Sequence, residues 1–140
     1  MAQIVNMSDA ASIGLHTLIL MASDPGRMMS ARELADALQV SEAHLAKVLQ
    51  RLVREGLVTS QRGPGGGFLL KGEPAEVTLL TVYEAIDGKL DTDRCMLGVP
   101  VCSGDGCVFG SLTSEIHHRI RDQLSQTTLT DLQGTLAPLL

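Results

Sequence analysis

At 140 residues the chain is long enough for one domain with a real core, or for a small domain carrying an appended element that must find a partner. Aromatic residues make up 2% and Trp is absent, so the core has to be built from Leu, Val, Ile, Ala and Met, which favours helix packed on helix and a mainly α fold. A formal net charge of -5 argues against a protein that coats nucleic acid non-specifically, and no basic leader or spanning apolar run is present, the stretch 13–22 being interrupted by His16; a soluble, cytoplasmic protein without membrane association is expected.

Ser8 or Asp9 caps a first helix whose apolar residues Ile13, Leu15, Leu18, Ile19 and Leu20 cover more than one face, until Asp24-Pro25-Gly26 breaks it. Such a helix is buried on several sides, with a second subunit as one source of cover. Ser30-Ala31-Arg32-Glu33 reads as a capping box at the start of a helix over 31–38. After the turn Gln39-Val40, Ser41 caps a third helix with Leu45, Val48, Leu49, Leu52 and Val53 inside, Glu42, His44, Lys47, Gln50, Arg51 and Arg54 outside, and Gly56 as its stop. A short helix, a tight turn and a longer helix with a polar, basic face form the helix-turn-helix pattern, in which the second helix enters the major groove. An ordinary helical hairpin with a solvated face reads the same way from these residues alone.

The next segment separates the two. Strands at 57–61 and 68–70 flank Arg62-Gly63-Pro64-Gly65-Gly66-Gly67, a glycine-rich turn of the kind that makes the wing of a winged helix, with Arg62 at the tip to reach a phosphate or a narrow minor groove. A phosphate-binding loop is excluded, because no Gly-Lys-Ser/Thr follows and the segment runs from strand to strand. Residues 41–71 hold five basic against two acidic residues, whereas 72–94 hold two basic against six acidic, so a local basic face is set in an acidic chain. Candidate DNA contacts are Ser41, His44, Lys47, Gln50, Arg51, Arg62, Gly63, Pro64 and Gly65. Arg51 has a competing reading as half of an ion pair that supports its helix.

Thr78 caps a helix through Ile86 that Gly88 stops, and 89–110 is a long loop holding all three cysteines, Cys95, Cys102 and Cys107. An odd number of cysteines without an export signal points away from a disulfide framework and toward metal binding or redox chemistry. Leu112, Ile116, His117, Ile120 and Leu124 give an amphipathic helix over 111–126 with nothing obvious of its own to cover, which suggests dimerisation, and places His117 and His118 at the surface or on a dimer helix. Thr128-Leu129-Thr130-Asp131 then starts a short terminal helix before Pro138. The expected organisation is a winged-helix DNA-binding domain over 1–88, a cysteine-bearing sensor loop over 89–110, and a dimerisation helix with its tail over 111–140.

Taken together, Ser41 to Arg51, Gly56-Leu57-Val58, the Arg62 to Phe68 wing, Glu84-Ala85-Ile86-Asp87-Gly88, the cysteine loop and Leu129 to Leu132 resemble the Rrf-type winged-helix transcription regulators, the family of IscR-, NsrR- and CymR-like proteins. The resemblance covers nearly the whole chain. It implies a bacterial homodimer whose long C-terminal helices cross and whose recognition helices read the half-sites of double-stranded operator DNA, with no enzymatic activity and no small-molecule substrate. It also implies that the loop cysteines ligate an iron–sulfur cluster, [2Fe–2S] or [4Fe–4S], that senses redox, nitric oxide or cluster status. The gaps between the cysteines depart from the family's even spacing. The family's post-cysteine His falls on Gly110, which cannot coordinate, and its N-terminal acidic position on Ser12, a poor iron ligand; His16, one turn on, is the candidate fourth metal ligand beside Cys95, Cys102 and Cys107, with Asp9 more remote. A cluster-free repressor responding through thiols or zinc, and a small iron–sulfur redox protein, remain the alternatives; no acid–base pair or cofactor loop supports the second.

Overall fold

The computed structural model describes residues 7–92, 95–97, 99, 101–102 and 106–136. Pro138, the expected stop of the terminal helix, lies outside these residues, as do parts of the cysteine loop and the first six positions. The chain forms α1 (Asp9–Ala22), α2 (Ala31–Leu38), α3 (Glu42–Arg54), β1 (Val58–Gln61), β2 (Gly67–Leu70), α4 (Leu79–Asp87) and α5 (Leu112–Gln126), the mainly helical fold that the composition predicts with the small antiparallel wing that the glycine-rich segment predicts. No helix among the described residues is long and apolar enough to cross a membrane.

Helix α1 is the axis of the core. Ser8 accepts the Ala11 N–H at 3.0 Å as its cap. Leu15, Leu18, Ile19, Leu20 and Met21 are all buried, because α2, α3, α4 and β2 pack around the helix. Its own chain therefore supplies this cover. The capping box at α2 is one-sided: Ser30 accepts the Glu33 N–H at 3.1 Å, but the Glu33 carboxylate pairs with Arg27 instead of turning back to Ser30. The guanidinium offers that carboxylate a bond with both ends charged, where the Ser30 amide offers one with a neutral donor. Gln39, at φ 56°, closes α2 in the left-handed region, and Ser41 opens α3 by accepting the His44 N–H at 3.0 Å.

Past Gly56 (φ 78°) the wing pairs Val58 with Leu70 through to Gln61 with Gly67. Phe68 exchanges both backbone bonds with Met29, at 2.8 and 3.0 Å, which fastens the wing to the entry of α2. A Cβ at Gly67 would stand 2.7 Å from the Met29 carbonyl oxygen, so this close approach demands glycine.

Helix α5 does have something to cover. Leu124 and Ile120 close a second apolar cluster with Ala11, Leu80 and Tyr83, so its C-terminal half belongs to the monomer, and His117 is buried rather than a surface residue. Thr128 and Asp131 make a reciprocal capping box, but only a single 3-10 turn, Thr130–Leu132, follows. That turn brings the fully buried Leu129 into the core around α1, bonded to Val77 at 3.0 Å, and Gln133 donates to the Ala22 carbonyl at 2.7 Å.

Candidate nucleic-acid interface and cysteine loop

With Leu45, Val48, Leu49 and Leu52 buried, helical geometry turns Ala43, Lys47, Gln50 and Arg54 to the opposite, outermost face of α3, and all four are exposed. His44 and Arg51 flank that row on the side of α1 and α4. His44, Lys47, Gln50, Arg51 and Arg54 line a cleft of about 370 Å³ whose apolar floor is Ala10, Val48 and Ile86. A surface that presents amide and cationic donors on one exposed helix face can pair with phosphates and with base edges. Arg54 is not among the candidate contacts above although it continues the 47, 50, 54 spacing, so the signal for it lies in the sequence.

Two candidate contacts have other work. The Ser41 hydroxyl is the cap of α3, and it stands at the helix N-terminus, where backbone N–H groups favour an anion. Arg51 donates Nε–H to the Ala85 carbonyl oxygen at 3.1 Å and has Glu55 Oε1 at 3.8 Å, which agrees with its reading as a supporting residue. Arg62 and Pro64 are exposed at the wing tip beside Gly63 and Gly65, which take φ values of 96° and 75°. The wing thus presents an arginine on a turn that lets backbone approach another surface closely.

Cys95, Cys102 and Cys107 are free thiols, Cys95 half-buried and the other two exposed. The Cys107 sulfur accepts the Phe109 N–H at 3.4 Å, and Cys95 Sγ lies 3.9 Å from the Val99 carbonyl oxygen. Among the described residues, no three His, Cys, Asp or Glu side chains converge as metal ligands, so one chain does not bring the cysteine trio and His16 together. His16 is exposed on α1 with Nδ1 2.6 Å from the Ser12 carbonyl oxygen. A carbonyl only accepts, so in the neutral ring Nδ1 carries the proton and Nε2 keeps its lone pair for a ligand. Around the loop and the start of α5, Val99, Val101, Val108, Phe109 and Leu112 are exposed, Val108 by 82% and Leu112 by 52%.

The profile of the Rrf2 family, described as an iron-dependent transcriptional regulator, matches residues 7–135. The HTH-type transcriptional regulator BadM of Rhodopseudomonas palustris is 42% identical over 78 residues, 56% of this chain and 50% of that protein. The regulator IscR of Pectobacterium atrosepticum is 34% identical over 100 residues, 71% of this chain and 61% of that protein. These alignments span only about half to three-fifths of the two curated relatives. Among solved structures, CymR, the global cysteine regulator of Bacillus subtilis, superposes with a TM-score of 0.79 at 26% identity, covering 95% of this chain and 99% of that one.

Proposed function

Because the chain belongs to the Rrf2 family of transcriptional regulators, we propose that it acts as a homodimer on operator DNA, reading bases with the Lys47–Gln50–Arg54 row of α3 and gripping backbone with the wing. The observation that carries the reading is the exposed row on α3 standing beside a glycine-rich wing tipped by Arg62. The family is one of transcription regulators, not enzymes. In this reading Ser41 and His44 meet phosphate at the first turn of α3, and Gly63, Pro64 and Gly65 let Arg62 approach the minor groove. The organisation follows: a reader over 1–88, a sensor loop over 89–110, and α5 with its tail over 111–140, where the exposed Phe109 and Leu112 supply apolar surface for a second copy.

Control of affinity is assigned to the loop. Three free thiols are the donor type that iron–sulfur clusters select, and His16 offers an imidazole nitrogen of the right tautomer. Cys95, Cys102 and Cys107 would hold the cluster, with His16 completing the set from the second subunit. When bound, the cluster supplies one-electron redox chemistry and sensitivity to oxidants and nitric oxide. The chain's own contribution is to keep the Cys102 and Cys107 thiols exposed, with Cys95 half-buried, and to join the loop to the reader at α4.

A second reading, a cluster-free thiol switch, draws on the absence of a preformed ligand cage among the described residues and on the likeness to CymR. Iron and acid-labile sulfide assays on anaerobically prepared protein, run beside mobility shifts with and without oxidant, separate the two. Stoichiometric iron and sulfide support the cluster; oxidant-sensitive binding without either element supports the thiol switch.

A further inference from the structure

Glu84-Ala85-Ile86-Asp87-Gly88, the run that ends α4, is bonded outward in several directions. The last carbonyls of a helix lack partners within it and carry its negative partial charge. Helix α4 has no basic residue in its last turn; Arg51 of α3 supplies the cation instead, through its bond to the Ala85 carbonyl at 3.1 Å. Asp87 accepts the Ser8 N–H at 2.9 Å and the Ser8 hydroxyl, which sets a carboxylate at the N-terminus of α1. Ile86 lies over Gly14 of α1, where a Cβ would stand 2.2 Å from Ile86 Cδ1 and 3.5 Å from Val48 of α3. Glu84 Oε2 accepts the Leu90 N–H at 3.3 Å, and Arg121 of α5 donates to the Leu90 carbonyl at 3.5 Å. Leu90 opens the cysteine loop.

We propose that this turn is the joint through which the cysteine loop sets the pose of the recognition helix, with Arg51 as its positioning residue and not a DNA contact. The proposal rests on the regulatory reading above. A displacement of the loop acts first on Leu90, which is held by Glu84, and Glu84 is adjacent to the residue whose carbonyl holds Arg51. A hydrogen bond weakens steeply with distance and angle, so a small rotation of the α4 terminus releases or re-forms the hold on α3. Lysine cannot substitute, since its ammonium lacks the planar, side-directed Nε–H of a guanidinium.

The test uses the full-length protein and a duplex selected from random sequence, with loop thiols free or blocked by N-ethylmaleimide. Operator affinity is measured against salt concentration, and amide exchange is followed over α3. In the wild type, blocking is expected to change affinity about tenfold, within the usual range of coupling between sites. Arg51→Lys and Arg51→Gln are expected to keep the wild-type salt slope while that ratio collapses toward unity and α3 amides exchange faster. Glu84→Ala, which loosens the joint from the loop side and leaves α3 untouched, is expected to lose the response as well. A salt slope lower by about 0.9 in Arg51→Gln, with Arg51→Lys behaving as wild type, would make Arg51 a phosphate contact and overturn the proposal. Undiminished coupling in the variants, or wild-type affinity indifferent to blocking, overturns it while leaving the DNA-binding reading intact. A wild type that binds no duplex at all defeats the functional reading and the joint with it.

Discussion

Lys47, Gln50 and Arg54 share one face of α3, but they are expected to contribute differently. An amide can pair bidentately with adenine, and a good bidentate pair is worth about 1–3 kcal/mol of discrimination, so Gln50→Ala should relax preference at one base position. Arg62 sits at the wing tip and should act through charge: Arg62→Ala is expected to weaken binding to all sequences and to lower the salt slope by about 0.9. Competition mobility shifts over a panel of single-base variants check both outcomes, and identical profiles for the two variants would contradict the division of labour. Much of this was legible, because side-chain type and helical spacing name the exposed row. Arg54 carries the same spacing, whereas the Ala85 carbonyl that holds Arg51 is not legible, since a backbone acceptor has no signature in the side-chain sequence.

The elements themselves were read largely from their caps. Ser8, Ser41 and Thr78 each accept an amide at the start of the helix that they were expected to open, and Gly56 and Gly88 follow the ends of α3 and α4. Ser41→Ala should cost about 1 kcal/mol through loss of the cap, measurable by urea unfolding. The return of the tail was not legible, because Leu129 is a single apolar residue in the polar run 126–131 and periodicity needs more than one. Yet it is 0% exposed, so Leu129→Ala is expected to destabilise by about 2–5 kcal/mol, and a change near zero would place the tail outside the core. Gly14 likewise gave no signal as a contact point. Gly14→Val must displace Ile86 and should cost about 1–3 kcal/mol through overpacking.

At the scale of the whole molecule, the reader, the loop and α5 meet at the end of α4. The C-terminal half of α5 is sealed onto α4 by Leu124 and Ile120, while Val108, Phe109 and Leu112, which follow Cys107 in the chain, stay exposed. This arrangement leaves apolar surface for a second copy next to the loop, so assembly and sensing share one region in the proposed dimer. Leu112→Glu is expected to shift sedimentation toward the monomer and to weaken operator binding together with it, because half-sites are then bound singly. The measurement that tests the central claim most directly is operator affinity of anaerobically prepared protein, before and after exposure to oxidant, with iron and acid-labile sulfide assayed on the same samples. Sequence-specific binding that changes with oxidant, in step with loss of iron and sulfide, is the predicted result. Binding that is sequence-specific but indifferent to oxidant, in protein holding neither element, would contradict the assignment of control to Cys95, Cys102 and Cys107.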